Sequence, residues 1–302
     1  MSAHIIGVDW GSSNRRAYLA AADGGLVARR EDACGVLSNR PADYRASLLE
    51  LVGDWQQQTG AAIWLSGMVG ARDGWREAPY LPVPAALDRI GREAGRLVTS
   101  DEAGPPIRIV PGLCQIPPAG PADVMRGEET QLLGAWRLTQ HNGWYVLPGT
   151  HSKWARIENG TVVRFHTFMT GELYARLREK GALASIAQGE ADDAAAFVSG
   201  VVAARATTLP TSLFAIRAAT LLGLRPQAQA SSNLSGLLIG AEWEGARQLG
   251  CLEQGPVTLI GAPRLAAWYR LAAAQYGVAT HSLDAELCYL QALLCCLDQA
   301  QS

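Results

Sequence analysis

One pattern occurs twice in the chain: an apolar strand, a small polar turn that contains glycine, a second apolar strand, and a hairpin into a third strand. The first copy occupies residues 4–30 and the second residues 144–168. Asn159-Gly160 in the second copy is a strong hairpin signal. Because a unit that recurs within one chain indicates repeated architecture, the pattern predicts two related lobes.

Between and after these copies the sequence alternates short apolar runs with segments of helical periodicity, which is typical of an α/β protein. Further strands are predicted at residues 62–65, 107–110, 257–260 and 278–281. Helices are predicted at residues 43–58, 127–139, 171–180, 191–204, 211–222, 232–249 and 263–276, with a last helix after residue 284.

The pattern divides the chain into an N-terminal lobe, residues 1–138, and a C-terminal lobe, residues 139–302. A length of 302 residues agrees with two domains. For the last helix, packing back on the N-terminal lobe is an alternative that the sequence leaves open. The segment 72–84 is rich in Gly, Pro and aromatic residues, and we expect it to be an ordered functional loop.

The charge balance limits the partners of the chain. There are 26 basic and 28 acidic residues, a net charge of −2, so the basic surface that nucleic acids or anionic membranes require is not expected. No apolar run approaches the ~20 residues of a membrane span, and the N-terminus does not resemble a secretory signal. The six cysteines lack metal-site spacing. These features predict a reduced, cytoplasmic protein, with a homodimer as one option.

The first turn, Gly11-Ser12-Ser13-Asn14, follows an acid at the end of an apolar run. Glycine lets backbone N–H groups approach an anion closely, and hydroxyl groups add further donors. Asp9 at the mouth of the turn suits a hydrated Mg²⁺, which prefers oxygen ligands. The alternative is a hairpin turn that happens to contain an acid.

The second turn includes Gly149, Thr150, His151 and Lys153, and it offers the same donors with a cation added. Either turn alone is compatible with a purely structural role. Their recurrence at the same place in two similar units favours two phosphate-binding turns that hold a nucleotide. Neither the P-loop motif nor the dinucleotide-binding glycine motif is present in the sequence.

The motif Asp9-x-Gly11-Ser12-Ser13-Asn14-x-Arg16 resembles the first phosphate motif of sugar kinases of the actin, hexokinase and heat-shock chaperone superfamily. The whole chain resembles the 2-dehydro-3-deoxygalactonokinase family. The resemblance is carried in order by residues 9–18, 66–85, 111–114, 125–135, 147–154, 168–177 and 235–243.

This resemblance implies ATP-dependent phosphorylation of 2-dehydro-3-deoxy-D-galactonate at its 6-hydroxyl, in galactonate breakdown. It also implies two ribonuclease-H-like lobes, with ATP and the sugar acid between them, and Mg²⁺ held by Asp9. Two alternatives keep the fold: a kinase for another 2-keto-3-deoxy sugar acid, of the gluconate type, and a phosphoanhydride hydrolase.

A sugar acid carries a carboxylate, which a guanidinium binds well in a bidentate manner. Arg16, Arg72 and Arg126 are the candidates, because each lies in a matched segment. Trp75 and Tyr80 are candidates for the pocket wall, although aromatic residues in a Pro-rich loop are also explained by packing. The remaining candidates for substrate binding are Gly67, Met68 and Glu172.

The general base is expected among the acids of the segment 125–135. Glu129 is favoured over Glu128, since adjacent helical residues point in different directions. Acids at this position also suit the N-terminal end of a helix without any catalytic role. Glu172 is a third candidate.

The nucleoside is expected at two glycine-containing positions of the C-terminal lobe: Ser235-Gly236 in the long helix, and Gly261-Ala262 after a strand. Ala262 stands where related turns usually carry a hydroxyl residue. A side-chain hydrogen bond from this position is therefore not expected.

Overall fold

A computed structural model describes residues 4–38, 43–96, 107–118, 120–253 and 255–300, with only the backbone for residues 94–96 and 297–300. The chain forms two compact units. The first unit contains residues 1–142, 156–165 and 284–302, and the second contains residues 143–155 and 166–283.

Strands β1 to β14 are His4–Trp10, Arg15–Ala21, Leu26–Asp32, Ala62–Gly67, Tyr80–Pro82, Ala85–Ala86, Ile107–Ile109, Gly112–Gln115, Asp123–Met125, Gly143–Leu147, Ser152–Glu158, Thr161–Phe168, Val257–Ile260 and Thr280–Leu283. Helices α1 to α9 are Tyr44–Thr59, Leu87–Arg96, Glu128–Thr139, Thr170–Glu179, Ala194–Ala206, Leu209–Leu221, Ala230–Gln248, Pro263–Gln275 and Ala285–Ala300. Within the part of the chain that the structure describes, no helix has the length and apolar character of a membrane span.

The first unit is built on a five-stranded sheet with the order β3-β2-β1-β4-β7. Strand β2 runs antiparallel to β1, whereas β4 runs parallel to it. Ile6, Val8 and Trp10 of β1 are fully buried and belong to one apolar core with Leu48 and Val52 of α1. Burial of these side chains fixes β1 in the centre of the sheet, because each contributes about 1.5–3 kcal/mol when removed from water.

The second unit repeats this strand order. Its residues contribute to a six-stranded sheet with the order β14-β13-β10-β11-β12-β6, and β13 runs parallel to both β10 and β14. Trp144 and Val146 of β10 are buried in a core to which α5, α7 and α8 contribute. The α/β fold class predicted from the sequence is therefore confirmed, and the recurring pattern corresponds to a recurring sheet.

Several elements were not predicted. The segment expected to be a loop at 72–84 contains β5, which joins β8 and β9 in a small separate sheet. Helix α2 follows it. The strand predicted at 278–281 begins two residues later, at Thr280. Strands of three or four residues carry too few side chains for their alternation to be recognised in a sequence.

Helix α9 lies in the first unit, far along the chain from its neighbours. It packs on α3 at Gly134, where a Cβ atom would lie only 1.6 Å from the backbone oxygen of Cys288. The hairpin end formed by residues 156–165 is also part of this unit, and there Val162 pairs with Ala85 of β6.

We expect Gly134→Ala to lower the free energy of unfolding by about 1–3 kcal/mol, the usual cost of overpacking a tight contact. Gly53→Ala is the matched control, because Gly53 is also buried in a helix but its added Cβ would lie an ordinary 3.5 Å from Leu49. This second change should raise stability by up to about 1 kcal/mol through helix propensity. Urea unfolding of both variants measures the difference. Equal stability of the two variants would contradict the close α3–α9 contact.

Candidate active site

The first turn uses its carbonyl groups but leaves two of its backbone N–H groups without a partner among the described residues. The carbonyl oxygens of Gly11, Ser12 and Ser13 accept hydrogen bonds at 3.0–3.1 Å from the N–H groups of residues 35–37. The N–H groups of Ser12 and Ser13 have no protein partner among the described residues. Because the carbonyl groups are occupied and the donors are not, the turn is suited to an anion. Asn14 is exposed at its end.

Asp9 stands at the end of β1, beside the turn. Its carboxylate Oδ2 lies 3.9 Å from Nη1 of Arg16, and a quarter of its side chain is exposed. Burial raises the pKa of Asp9, and the charge of Arg16 opposes this shift. Across the sheet, a Cβ on Gly67 would lie 3.4 Å from Oδ1 of Asp9, so the end of β4 closes over the same carboxylate.

The neighbouring arginines of β2 differ in their surroundings. Arg15 is buried and donates through Nε and Nη2 to Asp32 at 2.9 Å, and through Nη1 to the Ser47 hydroxyl at 2.8 Å. Its guanidinium also lies over the Trp10 ring. The side chain of Arg16 is half exposed. Alternation along the strand therefore turns Arg15 into the core and Arg16 toward Asp9.

Arg126 holds a largely unused guanidinium in the interior of the first unit. Its side chain is 8% exposed, and Nη2 donates to the Ala78 oxygen at 2.8 Å. Nε and Nη1 are buried without a hydrogen-bond partner among the described residues. The guanidinium lies 4.2 Å from the centre of the Tyr80 ring. Buried donors without partners are costly, so this group is suited to an anionic ligand.

Glu129 is the second residue of helix α3 and is completely buried. It accepts hydrogen bonds from the Gly127 N–H at 2.6 Å and from the Thr130 hydroxyl at 3.2 Å. Burial and the neighbouring Glu128 carboxylate raise the pKa of Glu129 to about 8. Glu128 is half-buried and accepts from the Arg126 N–H at 3.1 Å.

Glycine joins this helix end to the end of β4. A Cβ on Gly127 would lie 3.2 Å from the Cα of Gly67. Both glycines have positive φ angles, 109° and 87° respectively. The close approach of these two glycines thus brings Asp9, Arg126 and the two acids of α3 near one another. A residue with a side chain does not fit at either glycine.

The other substrate candidates occupy different surroundings. Met68 is partly exposed directly after Gly67, whereas Arg72 is exposed in the loop that follows. The Trp75 ring stacks on Tyr44 at 6.0 Å, against the apolar core. Of the aromatic candidates, Tyr80 therefore lies beside Arg126, and Trp75 contributes to packing.

The second turn lies against the start of helix α4. The Glu172 N–H donates to the Thr150 oxygen at 2.9 Å, and the Glu172 carboxylate lies 2.6 Å from Nε2 of His151. A Cβ on Gly171 would lie 2.4 Å from the oxygen of Gly149. The turn and the helix are therefore in direct backbone contact.

Lys153 points away from the exposed part of this turn. It is buried, and its Nζ donates to the Thr167 hydroxyl at 2.8 Å. Ser152 is also buried and lies 2.8 Å from the Tyr269 hydroxyl. Gly149, Thr150 and His151 are the exposed residues of the turn.

A cavity of about 750 Å³ opens beside the second turn, within the second unit. Its size is in the usual range for small-molecule and cofactor sites. The residues that line it are Gly149, Thr150, Thr170, Gly171, Tyr174, Arg178, Gly189, Glu190, Ala191, Ser235, Leu238, Ile239, Ala262, Arg264, Leu265, Trp268 and Tyr269.

The nucleoside candidates divide into lining and packing residues. Ser235 and Ala262 line the cavity. Gly236 instead faces α5, where a Cβ would lie 1.9 Å from the Phe197 oxygen. Gly261 adjoins the second turn, since its Cβ would lie 3.6 Å from Cδ of Pro148.

Sequence reasoning missed several lining residues. Tyr174 and Arg178 lie one turn apart on α4, and the Arg178 guanidinium lies 5.0 Å from the Tyr174 ring. Trp268 and Tyr269 lie on α8. The signal available for these residues was the helical periodicity of the segments that contain α4 and α8, which identifies a helix but not the residues that face a ligand.

The family model of 2-keto-3-deoxy-galactonokinase matches residues 9–295 of this chain. The chain belongs to this family. A 2-dehydro-3-deoxygalactonokinase of Escherichia coli (strain K12) is 38% identical over 273 residues, which is 90% of each chain. The family resemblance inferred from the sequence motifs is therefore confirmed.

Solved structures agree with this assignment. A crystal structure of a Sinorhizobium meliloti protein that carries the same enzyme name is 36% identical, covers 96% of each chain and has a TM-score of 0.85. Component A of (R)-2-hydroxyglutaryl-CoA dehydratase from Acidaminococcus fermentans covers 100% of each chain with a TM-score of 0.56. At 12% identity, this second protein shares the fold alone.

We expect the same substitution to lower stability strongly at one of the two neighbouring arginines of β2 and hardly at all at the other. Arg15→Met should lower the free energy of unfolding by about 2–4 kcal/mol, because it removes a buried, charge-assisted hydrogen-bond set. Arg16→Met should change it by less than about 0.5 kcal/mol, as is usual for an exposed side chain. Thermal and urea unfolding measure both. If Arg16→Met were the more destabilising change, the two side chains would have been assigned to the wrong faces of the strand.

Proposed function

We propose that this protein transfers the γ-phosphoryl group of ATP to the 6-hydroxyl of 2-dehydro-3-deoxy-D-galactonate. The observation that carries the proposal is the buried Arg126 guanidinium, whose Nε and Nη1 atoms lack partners among the described residues. Those donors fit the carboxylate of a sugar acid. Membership of the 2-keto-3-deoxy-galactonokinase family supports the same substrate class.

The nucleotide belongs, in this proposal, to the C-terminal lobe, residues 139–302. The cavity beside Gly149 and Thr150 supports this assignment, since its volume of about 750 Å³ suits a nucleotide. The N-terminal lobe, residues 1–138, carries the sugar-acid site at Arg126. The N-terminal lobe also carries the first turn, which is suited to an anion because the Ser12 and Ser13 N–H groups have no partner among the described residues.

Asp9 is the residue that would hold Mg²⁺. Within the described ranges, no group of three His, Cys, Asp or Glu side chains is arranged to bind a metal ion. Magnesium in a kinase usually takes one or two carboxylates and completes its shell with phosphate oxygens and water, so the proposal needs no protein ligand beyond Asp9. When bound, the ion neutralises phosphate charge.

Glu129 is the proposed general base. The sugar hydroxyl oxygen attacks the γ-phosphorus as the bond from phosphorus to the ADP oxygen breaks, and the hydroxyl proton passes to the Glu129 carboxylate. Burial of Glu129 excludes water from the base, and a pKa of about 8 makes its carboxylate a stronger base than an ordinary glutamate. Arg16 and Arg126 place positive charge near the reacting groups.

The cysteines support a reducing compartment. None of the six, all of which lie among the described residues, forms a disulfide, as in proteins of reducing compartments. ATP is the phosphate donor in this proposal, and we assign the enzyme to the cytoplasm.

The reaction is tested by ADP release with ATP and a panel of 2-keto-3-deoxy sugar acids that includes both C4 epimers. The proposal expects turnover with the galactonate derivative and negligible ADP release without a sugar acid. Equal turnover of the gluconate epimer would widen the substrate class. ATP hydrolysis at the same rate without any sugar acid would replace the kinase by a phosphoanhydride hydrolase.

Arg126→Met should raise KM for the sugar acid by about 10- to 100-fold, the loss of one or two charged hydrogen bonds, while KM for ATP stays nearly constant. Methionine keeps much of the apolar length of the side chain. Arg92→Met on α2 is the control, because Arg92 is exposed and pairs only locally with Asp88. Steady-state kinetics with each substrate varied in turn measures both constants. An equal rise of both KM values would contradict carboxylate binding by Arg126.

Glu129→Gln should lower kcat/KM by about 10²–10⁴-fold, the usual contribution of a general base. In the unchanged enzyme the base acts only when deprotonated, so kcat/KM should rise with pH up to a pKa of about 8 and then level off. The variant should lose this rise. Glu128→Gln separates the two acids, and a larger loss of activity with that variant would transfer the role to Glu128.

A further inference from the structure

Glu242 of α7 is a buried carboxylate that lies behind the wall of the cavity in the second unit. Only 2% of the surface of Glu242 is exposed. A buried carboxylate is stable only when hydrogen bonds replace its lost hydration. The arrangement of those bonds connects Glu242 to the cavity and to the second turn.

Three neutral donors point at this carboxylate. Nε1 of Trp154 donates to Oε1 at 2.8 Å, and the Tyr269 hydroxyl donates to Oε2 at 2.7 Å. The Thr170 hydroxyl also donates to Oε2 in a short hydrogen bond. Burial raises the pKa of Glu242, and the hydrogen bonds from Thr170, Trp154 and Tyr269 oppose this shift.

Each hydroxyl group can donate only one proton, and this limits the directions of the hydrogen bonds around Glu242. Tyr269 has one hydroxyl proton, and it is donated to Glu242. The Ser152 hydroxyl lies 2.8 Å from the same tyrosine oxygen and also interacts with the Glu242 carboxylate, so the serine proton is directed toward the Tyr269–Glu242 pair. The Ser152 oxygen then faces the Gly149 N–H, at 3.5 Å, as an acceptor. Protons therefore point from the turn through Ser152 and Tyr269 to Glu242.

Two of the residues fixed in this way, Thr170 and Tyr269, line the cavity together with Gly149 of the second turn. Because the Thr170 proton is committed to Glu242, its hydroxyl is left to act toward a ligand as an acceptor. The orientation of the polar groups on one side of the cavity thus depends on a single carboxylate that does not line it.

We propose that Glu242 is a positioning residue for the nucleotide, which fixes the hydroxyl orientations of Thr170, Tyr269 and Ser152 at the cavity and the second turn. This inference rests on the proposed function, in which ATP occupies that cavity. Glu242 contacts neither the nucleotide nor the sugar acid and acts through the residues it binds.

Glu242→Gln tests the proposal with almost no change of shape. The amide places N–H donors where one carboxylate oxygen stands. These donors meet either the Trp154 N–H, which is also a donor, or the hydroxyls of Thr170 and Tyr269, which must then turn their protons away. KM for ATP should rise about 10-fold, the size of one charge-assisted hydrogen bond, and KM for the sugar acid should stay within about twofold.

Glu244→Gln is the matched control, because it removes the same charge from the same helix. Glu244 pairs with Arg247 and does not line the cavity. Both KM values should remain unchanged in this variant. Tyr269→Phe keeps the Glu242 charge but breaks the link to Ser152, so it should raise KM for ATP by a smaller factor.

Tyr269→Phe also carries the test if Glu242→Gln fails to fold. The positioning role is overturned if KM for ATP stays within twofold of the unchanged enzyme in each variant that folds. It is also overturned if KM for ATP and KM for the sugar acid rise by the same factor, since general loosening of the fold would do that.

Calorimetric titration with ATP, without sugar acid, separates this inference from the proposed function. Ala262→Trp fills the cavity with a large side chain and should abolish ATP binding. If Ala262→Trp binds ATP as the unchanged protein does, ATP binds elsewhere and the proposed nucleotide site is wrong. If Ala262→Trp abolishes binding and Glu242→Gln binds ATP with unchanged affinity, the site stands and only the positioning role is lost.

Discussion

In each unit the first strand of the sheet lies between two neighbours: one that is antiparallel or joined to it by a hairpin, and one that runs parallel to it. This position determines where the functional groups lie. The ends of parallel strands meet at one edge of a sheet, where ligand sites of α/β proteins occur. In the first unit Trp10 pairs with Gly67, so the turn after β1 and the turn after β4 adjoin. In the second unit Val146 pairs with Leu259, which brings Pro148 beside Gly261. The two turns therefore occupy corresponding places.

Much of this arrangement could be predicted from the sequence. The two turns follow almost continuous apolar runs, which are typical of buried strands. The helices predicted at 127–139 and 232–249 lie within two residues of α3 and α7. The family motifs indicated the correct family. Arg16 was separated from Arg15 by its place in the motif, and the structure adds the reason: Arg15 is bonded to Asp32 and Ser47 in the interior.

Other parts could not be predicted, because they depend on contacts between distant segments. Glu242 is one of two acids near the end of a long helix, and sequence spacing alone does not tell which of Glu242 and Glu244 is buried. The donors that compensate Glu242 come from β11, α4 and α8. Lys153 follows a turn whose backbone offers hydrogen-bond donors. The direction of its side chain is nevertheless set by the neighbouring strand, where the Thr167 hydroxyl accepts a hydrogen bond from its ammonium group. Such directions are tertiary properties.

The contact between Gly171 and Gly149 has a consequence for redesign of the enzyme. The backbone of α4 touches the backbone of the second turn at Gly171, so a side chain at this position is accepted only if one of the two segments moves. An added Cβ on Gly149 would meet only an ordinary contact at 3.9 Å. Libraries that aim to change the phosphate donor should therefore leave Gly171 fixed. Tyr174, Arg178 and Trp268 line the same cavity through their side chains. Diversity introduced there changes the shape of the cavity without displacing the backbone of the second turn.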